Sequence, residues 1–164
     1  MPNWCSNKII IKGKSLNEFK KTLNTMNGEK KIVEFSFHQT IPRPENCKDV
    51  RSWNIENWGT KWDIDSCEIE YEYDDNKTIS IECNSAWSPP TDWASNCLKK
   101  FDDLSIEIGY SEGGMAYFGV WKDNEHEYIP HDDDDVIYDE EEFEYIYSER
   151  LQDHLDKYGI DIGG

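Results

Sequence analysis

The sequence is short of the features that assign a protein quickly. There is no CxxC pair. The five cysteines, Cys5, Cys47, Cys67, Cys83 and Cys97, are odd in number and widely spaced, which speaks against a disulfide framework and a zinc signature. Cys67 and Cys83 fall on strand-like segments and Cys97 on a helix-like one, so buried thiols in a reducing cytoplasm are expected. No stretch approaches the roughly 20 apolar residues of a membrane span. The start, MPNWCSNK, lacks the charged lead and apolar run of a secretion signal. There is no phosphate loop, nucleophile elbow or HExxH. Nothing in the sequence requires an enzyme, a cofactor or a membrane, and a cytoplasmic setting is expected.

Positive charge is scarce, and its scarcity is local. Residues 1–122 hold 15 Lys+Arg against 19 Asp+Glu, a net of −4, whereas the remainder hold 2 against 16, a net of −14. A nearly balanced body (1–122) is therefore expected to carry an acidic extension (123–164). Hydrophobic residues make up only 37%, yet aromatics reach 13%, with seven Trp and nine Tyr. Rings that each bury roughly 150–250 Å² can build a core from few positions, so a folded domain is expected at this length.

Along the chain, WCSNKIIIK reads as a strand. Ser15 then opens a helix to about residue 26, with Glu18 at the capping-box position and Leu16, Phe19, Leu23 and Met26 on one face. IVEFSF (32–37) reads as a short strand, and a helix is expected near 45–52 in the long irregular stretch that follows. CEIEYEYD and TISIEC alternate strictly around Asp75-Asn76 and predict a hairpin. Pro89 and Pro90 stop the second strand. Trp93, Cys97, Leu98 and Phe101 mark a second helix, and LSIEIGYSE turns at Gly113-Gly114 into MAYFGVWK. This order predicts an α+β fold, a ferredoxin-like βαββαβ sandwich with both helices on one face of an antiparallel sheet, plus an extra hairpin strand. In the extension, Phe143, Tyr147, Leu151, His154, Leu155 and Tyr158 recur at helical spacing, which predicts an amphipathic helix over about 139–158 capped by Gly159.

Three segments, MPNWCSN at the start, NWGTKWD at 57–63 and AWSPPTDW at 86–93, together resemble the YubB-type ferredoxin-like family of phage- and plasmid-encoded proteins. The resemblance covers about residues 1–122. It implies a ferredoxin-like fold and a mobile-element origin, and it implies no catalytic residues.

Two candidate sites follow. Asn57, Trp58, Lys61, Trp62, Asp63, Trp87 and Ser88 form a possible pocket for a planar, nucleotide-like ligand. The competing reading is that the tryptophans plug the open end of a small core and that Ser88 and the prolines start a helix. The second site is the acid-rich run with Asp132, Asp133, Asp134, Asp135, Asp139, Glu140, Glu141, Glu142 and Glu144. His126 and His131 lie nearby, but the EF-hand glycine is missing, and a solvated acidic loop without metal is expected. Direct nucleic-acid binding through the sheet is disfavoured, because the predicted open face shows Glu68, Glu70, Glu72, Glu82 and Glu107, with Tyr117 and Trp121 as a conceivable local exception. Duplex DNA carries one charge per roughly 1.7 Å, and a helix rises about 1.5 Å per residue. Acid clusters held rigidly on a helix and on a carboxylate-rich sheet edge can approach that density, and a surface that imitates nucleic acid is expected. The expected partner is a basic nucleic-acid-binding host protein such as a restriction or CRISPR effector. A nucleotide-binding module using the Trp motifs, and an acidic protein whose charge only confers solubility, remain alternatives.

Overall fold

The computed structural model describes residues 3–64, 66–71, 77–142 and 144–162. Its centre is β1 (Trp4–Gly13), whose Ile9 and Ile11 are fully buried. A five-residue helix, α1 (Leu16–Lys20), follows, and then two short paired strands, β2 (Thr25–Met26) and β3 (Ile32–Val33). The expected longer helix stops early. Ser15 makes no capping bond, Asn24 has a positive φ of 55°, and the hydroxyls of Thr22 and Thr25 bond carbonyls three residues back, an alternative that competes with helical pairing. Leu16, Phe19 and Leu23 are buried as expected, but Met26 is exposed.

IVEFSF is a strand only at its first two residues. Phe37 already begins α2 (Phe37–Thr40), and the capping box sits here, between Ser36 and Gln39. Next is α3 (Val50–Trp58), five residues later than the sequence suggests, because Asp49 supplies the cap by accepting the Ser52 N–H. β4 (Cys67–Tyr71) and β5 (Thr78–Ala86) pair antiparallel as predicted. Their connection at Asp75-Asn76 lies outside the described residues. The second helix, α4 (Thr91–Lys100), buries Trp93, Ala94 and Cys97. It leads to β6 (Leu104–Glu112), β7 (Tyr117–Lys122) and β8 (Glu125–Pro130).

These strands form one antiparallel sheet in the order β4-β5-β1-β6-β7-β8. The drop in positive charge after Lys122 falls inside a hairpin, so the acidic extension shares the sheet of the body. On one face, Ile9, Ile11, Ile79, Ile81, Ile106 and Ile108 lie under Phe19, Phe37, Trp58 and Trp93. A chain of tilted and edge-on ring contacts of 5.4–6.5 Å links Phe19, Phe35, Phe37, Trp58 and Trp93, which is how few apolar positions fill the core. All five cysteines are free, and Cys5, Cys83 and Cys97 are buried.

The extension departs most from expectation. No helix runs from 139 to 158. Val136–Asp139 (β9) pairs with Glu144–Tyr147 (β10), and only Glu149–Tyr158 is helical (α5). Two physical reasons account for this. Ile137, Tyr138, Tyr145 and Ile146 are strand formers that pair across the hairpin. Asp139 accepts the N–H groups of Glu141 and Glu142, closing a turn where four consecutive acids would repel one another on a helix. Ser148 caps α5, and Gly159, at φ 62°, ends it. Phe143 lies outside the described residues.

The expectation of one covered face is also corrected. α5 lies on the opposite face, where Leu151, Leu155 and Tyr158 meet Phe118 of β7, with Ile10, Val120 and Ile129 around them. Each such side chain contributes about 1.5–3 kcal/mol on full burial. The fit depends on Gly109 of β6: a Cβ there would lie 2.1 Å from the Tyr158 ring. The Tyr158 hydroxyl then donates to Glu107 at 2.8 Å.

Replacing Gly109 by alanine should therefore cost about 1–3 kcal/mol by overpacking in a denaturant titration. Amides of α5 should lose exchange protection while those of β1 and β5 keep theirs. Equal loss in both places would contradict a separately docked α5.

Candidate functional site

The Trp motifs divide between two sides. Trp58, Lys61, Trp62 and Asp63 line a groove of about 670 Å³ between the β2–β3 hairpin, α2 and α3, whereas Asn57, Trp87 and Ser88 do not. Most of the motif is packing. Trp58 is 1% exposed, donates Nε1–H to the Ile41 carbonyl, and stands edge-on to Trp53. Asp63 caps α2: its carboxylate accepts the backbone N–H of Phe37 and His38 at 2.7 and 3.1 Å. Burial raises the Asp63 pKa, against those N–H bonds, which lower it. Asn57 donates to the Trp53 carbonyl, and the Ser88 hydroxyl donates to that of Gly59. Trp87 holds a positive φ of 74°, and its carbonyl accepts the Tyr117 hydroxyl. Its ring carries the Lys61 ammonium 3.6 Å from the centroid. Trp62, at 39% exposure and edge-on to Trp4, is the motif tryptophan that most faces the groove.

The sequence reading missed the other walls of this groove. Lys31, Arg43 and Arg51 line it as well. Their separation in the chain hid them, since topology rather than spacing brings them together. What joins Arg43 to Lys61 is Asn54, buried mid-helix, which accepts from Arg43 at 3.0 Å and donates to the Lys61 carbonyl at 2.9 Å.

The acidic residues also separate into roles. Asp132, Asp133 and Asp134 are exposed, as are Glu140, Glu141, Glu142 and Glu144, while Asp139 is half-buried in its turn. Asp135 is not a surface residue: it is 2% exposed. It binds the Arg150 guanidinium, the Ser148 hydroxyl and the Asp132 N–H. The Arg150 bond above all holds its carboxyl well below the usual carboxylate range. Asp135 thus ties the Asp132 loop to the start of α5. It is an internal strut and cannot meet a partner.

The histidines are engaged within the fold: His154 is buried, His131 half-buried and His126 exposed. His126 meets the Tyr110 hydroxyl at 2.7 Å, His154 meets the Tyr110 carbonyl at 2.9 Å, and His131 packs on Phe118. Among the described residues no three His, Cys, Asp or Glu side chains are grouped to hold a metal. Tyr117 and Trp121 are 6% and 4% exposed and belong to the helix-covered core, so they are no platform for bases. On the uncovered part of the other face, Lys8 is paired with Glu70 and Glu82 at 3.1 and 3.5 Å, Glu68 adds a further carboxylate, and Glu72 lies outside the described residues. No helix is long and apolar enough to cross a membrane among the described residues.

Beyond the charged tip, the β9–β10 hairpin exposes Ile137, Tyr138, Tyr145 and Ile146 at 48–61%. The two tyrosine rings lie 5.1 Å apart. At the hairpin base, Val136 and Tyr147 face the α5 cluster, which anchors this apolar projection to the sheet.

Two measurements check these assignments. Trp58→Ala should cost about 3–5 kcal/mol of stability, as for a buried tryptophan, in thermal or chemical unfolding. Asp135→Asn should loosen the extension by on the order of 2 kcal/mol through the lost charged hydrogen bonds. The wild type should behave similarly in acid. Since the folded-state pKa of Asp135 lies below the unfolded value, its contribution is full at neutral pH. It declines as pH falls past the ordinary carboxylate value of about 4 and vanishes below the folded value. Exchange protection in α5 should follow that course.

No family model matches the chain, and no curated protein is similar to it in sequence. The crystal structure of protein api92 from Yersinia pseudotuberculosis, of family-model DUF1281, is similar in fold, with a TM-score of 0.55 at 8% identity. The alignment covers 80% of this chain and 99% of that one, and at this identity the likeness concerns the fold alone.

Proposed function

We propose that this protein binds a basic, nucleic-acid-handling protein of a host bacterial cell through its acidic extension and blocks the nucleic-acid site. The observation that carries the reading is the β9–β10 hairpin. Four exposed apolar and aromatic side chains stand beside the acidic residues Asp139, Glu140, Glu141 and Glu142 on a docked support. Aromatic anchors with a charged rim are the usual anatomy of a protein-binding patch. The sign of the rim selects the partner: beyond residue 122 the cations are Arg150 and Lys157, and Arg150 is engaged by Asp132 and Asp135. The remaining carboxylates steer the surface towards a basic groove.

The helical rod of charge expected from the sequence is replaced by a compact acidic tip with the Asp132–Asp134 loop nearby. Imitation of nucleic acid then concerns local charge and planar rings rather than a regular repeat. We further infer that β4-β5-β1-β6, with helical crossovers after β1 and after β5, is a ferredoxin-like βαββαβ unit extended by β7 and β8. This inference and the likeness of MPNWCSN, NWGTKWD and AWSPPTDW to the YubB-type family support an origin on a phage or plasmid. A restriction or CRISPR effector in the cytoplasm is the class of target that fits such an origin.

The test is retention from a host lysate on the immobilised full chain, with DNA or RNA as competitor. A basic nucleic-acid-binding protein should be held at about 0.1 M salt and released by nucleic acid. Tyr138→Ser with Tyr145→Ser should weaken it by about 2 kcal/mol or more, and Glu140→Lys with Glu141→Lys should slow association most at low salt. The reading fails if nothing basic is retained, or if both variants bind as the wild type does.

A further inference from the structure

The strongest feature outside the acidic extension is the groove between the β2–β3 hairpin, α2 and α3. In a chain with 35 Asp+Glu against 17 Lys+Arg, it gathers Lys31, Arg43, Arg51 and Lys61 around one space. Of its two carboxylates, Asp63 is turned to backbone N–H groups and Glu29 pairs with Lys31 at 2.8 Å. Among the described residues, no carboxylate lies in ion-pair reach of Arg43, Arg51 or Lys61. We propose that this groove binds a small phosphorylated ligand with a planar ring, of the nucleoside diphosphate class.

Geometry supports this assignment in three ways. First, two of the cations, Arg43 and Lys61, are held in place before any ligand arrives. Arg43 is fixed by the buried Asn54 and lies over the Trp58 ring, and Lys61 lies on the Trp87 ring. Preorganised donors recognise an anion at low entropic cost. Second, the neutral His38 ring adds a donor. Its Nδ1 accepts the Arg43 N–H at 3.2 Å, which leaves the proton on Nε2, and burial lowers its pKa. Third, the half-exposed Trp62 borders the same space and offers a stacking surface. The volume of about 670 Å³ suits a small organic ligand. A neighbouring recess of about 390 Å³ continues past Arg43 towards Lys30 and Pro44.

Desolvation, and then the nearby Arg51 charge, lower the Lys61 pKa. A bound phosphate would relieve that crowding of like charges. The field of the whole chain, at −18, decides between a compact and a polymeric anion. Charges farther than about 8 Å are screened at physiological salt, so a compact ligand senses the groove. A long nucleic-acid strand would run onto the acidic remainder. The site is independent of the extension, because α5 docks on the opposite face of the sheet.

Titration of the full-length protein with ADP, inorganic pyrophosphate and a twelve-residue oligothymidylate, followed by calorimetry and tryptophan fluorescence, tests the assignment. ADP and pyrophosphate should bind with Kd at or below about 1 mM, and the oligonucleotide more weakly. Arg51→Glu, at an exposed position, should weaken both small ligands about tenfold or more. Trp62→Ala should weaken ADP and spare pyrophosphate. The assignment is overturned if neither small ligand binds at several times that concentration (roughly 5 mM), if Arg51→Glu binds them unchanged, or if the oligonucleotide binds more tightly than ADP. Variants of the β9–β10 hairpin should leave all these affinities as they are, which separates this site from the protein-binding surface.

Discussion

The contact between Tyr158 and the bare backbone at Gly109 is the constraint on which the acidic half depends. A side chain on β6 at that point would occupy the space of the ring. With none there, the end of α5 lies flat on the sheet, and Leu151 and Leu155 are drawn over Phe118. Everything between β8 and α5 is then suspended between two fixed ends. The Asp135–Arg150–Ser148 cluster sets the spacing of those ends. An acid-rich segment with a net charge of −14 would repel itself as a free chain, and this docking turns it into a shaped surface.

The sheet separates two electrostatic regimes. The helix side of the core ends in a groove of cations, and the α5 side ends in an exposed acidic hairpin. Since screening limits each field to about 8–10 Å, the two surfaces act independently although the chain is strongly acidic as a whole. Net charge alone conveys the second regime and conceals the first.

Much of the sheet was legible because alternation is a local signal: Ile9 and Ile11, Ile79 and Ile81, and Ile106 and Ile108 declare their inward side within a few residues. The extension was misread for an equally physical reason. Tyr147, Leu151, Leu155 and Tyr158 do share a face, but periodicity cannot show where a helix begins. The stretch 136–147 contains residues that suit both a helix stripe and a strand pair, and tertiary pairing decided for the strand. The candidate ligand site was half legible. Lys61 and Trp62 stood out in a motif, whereas Arg43 and Arg51 became neighbours of Lys31 only through the path of the loop. Roles were hardest to read. Asp63, Asp135 and Trp58 look like surface chemistry in sequence, and each is an internal support whose bonding partners are distant or buried.

The outermost strands of the sheet, β4 and β8, each carry glutamates, Glu68 and Glu70 on one rim and Glu125 and Glu127 on the other. An unpaired strand edge is ordinarily a template for adding another chain. Here two molecules meeting rim to rim would oppose like charges at every second residue. The same abundance of acid thus sets a repulsive rim against edge-to-edge pairing of two copies.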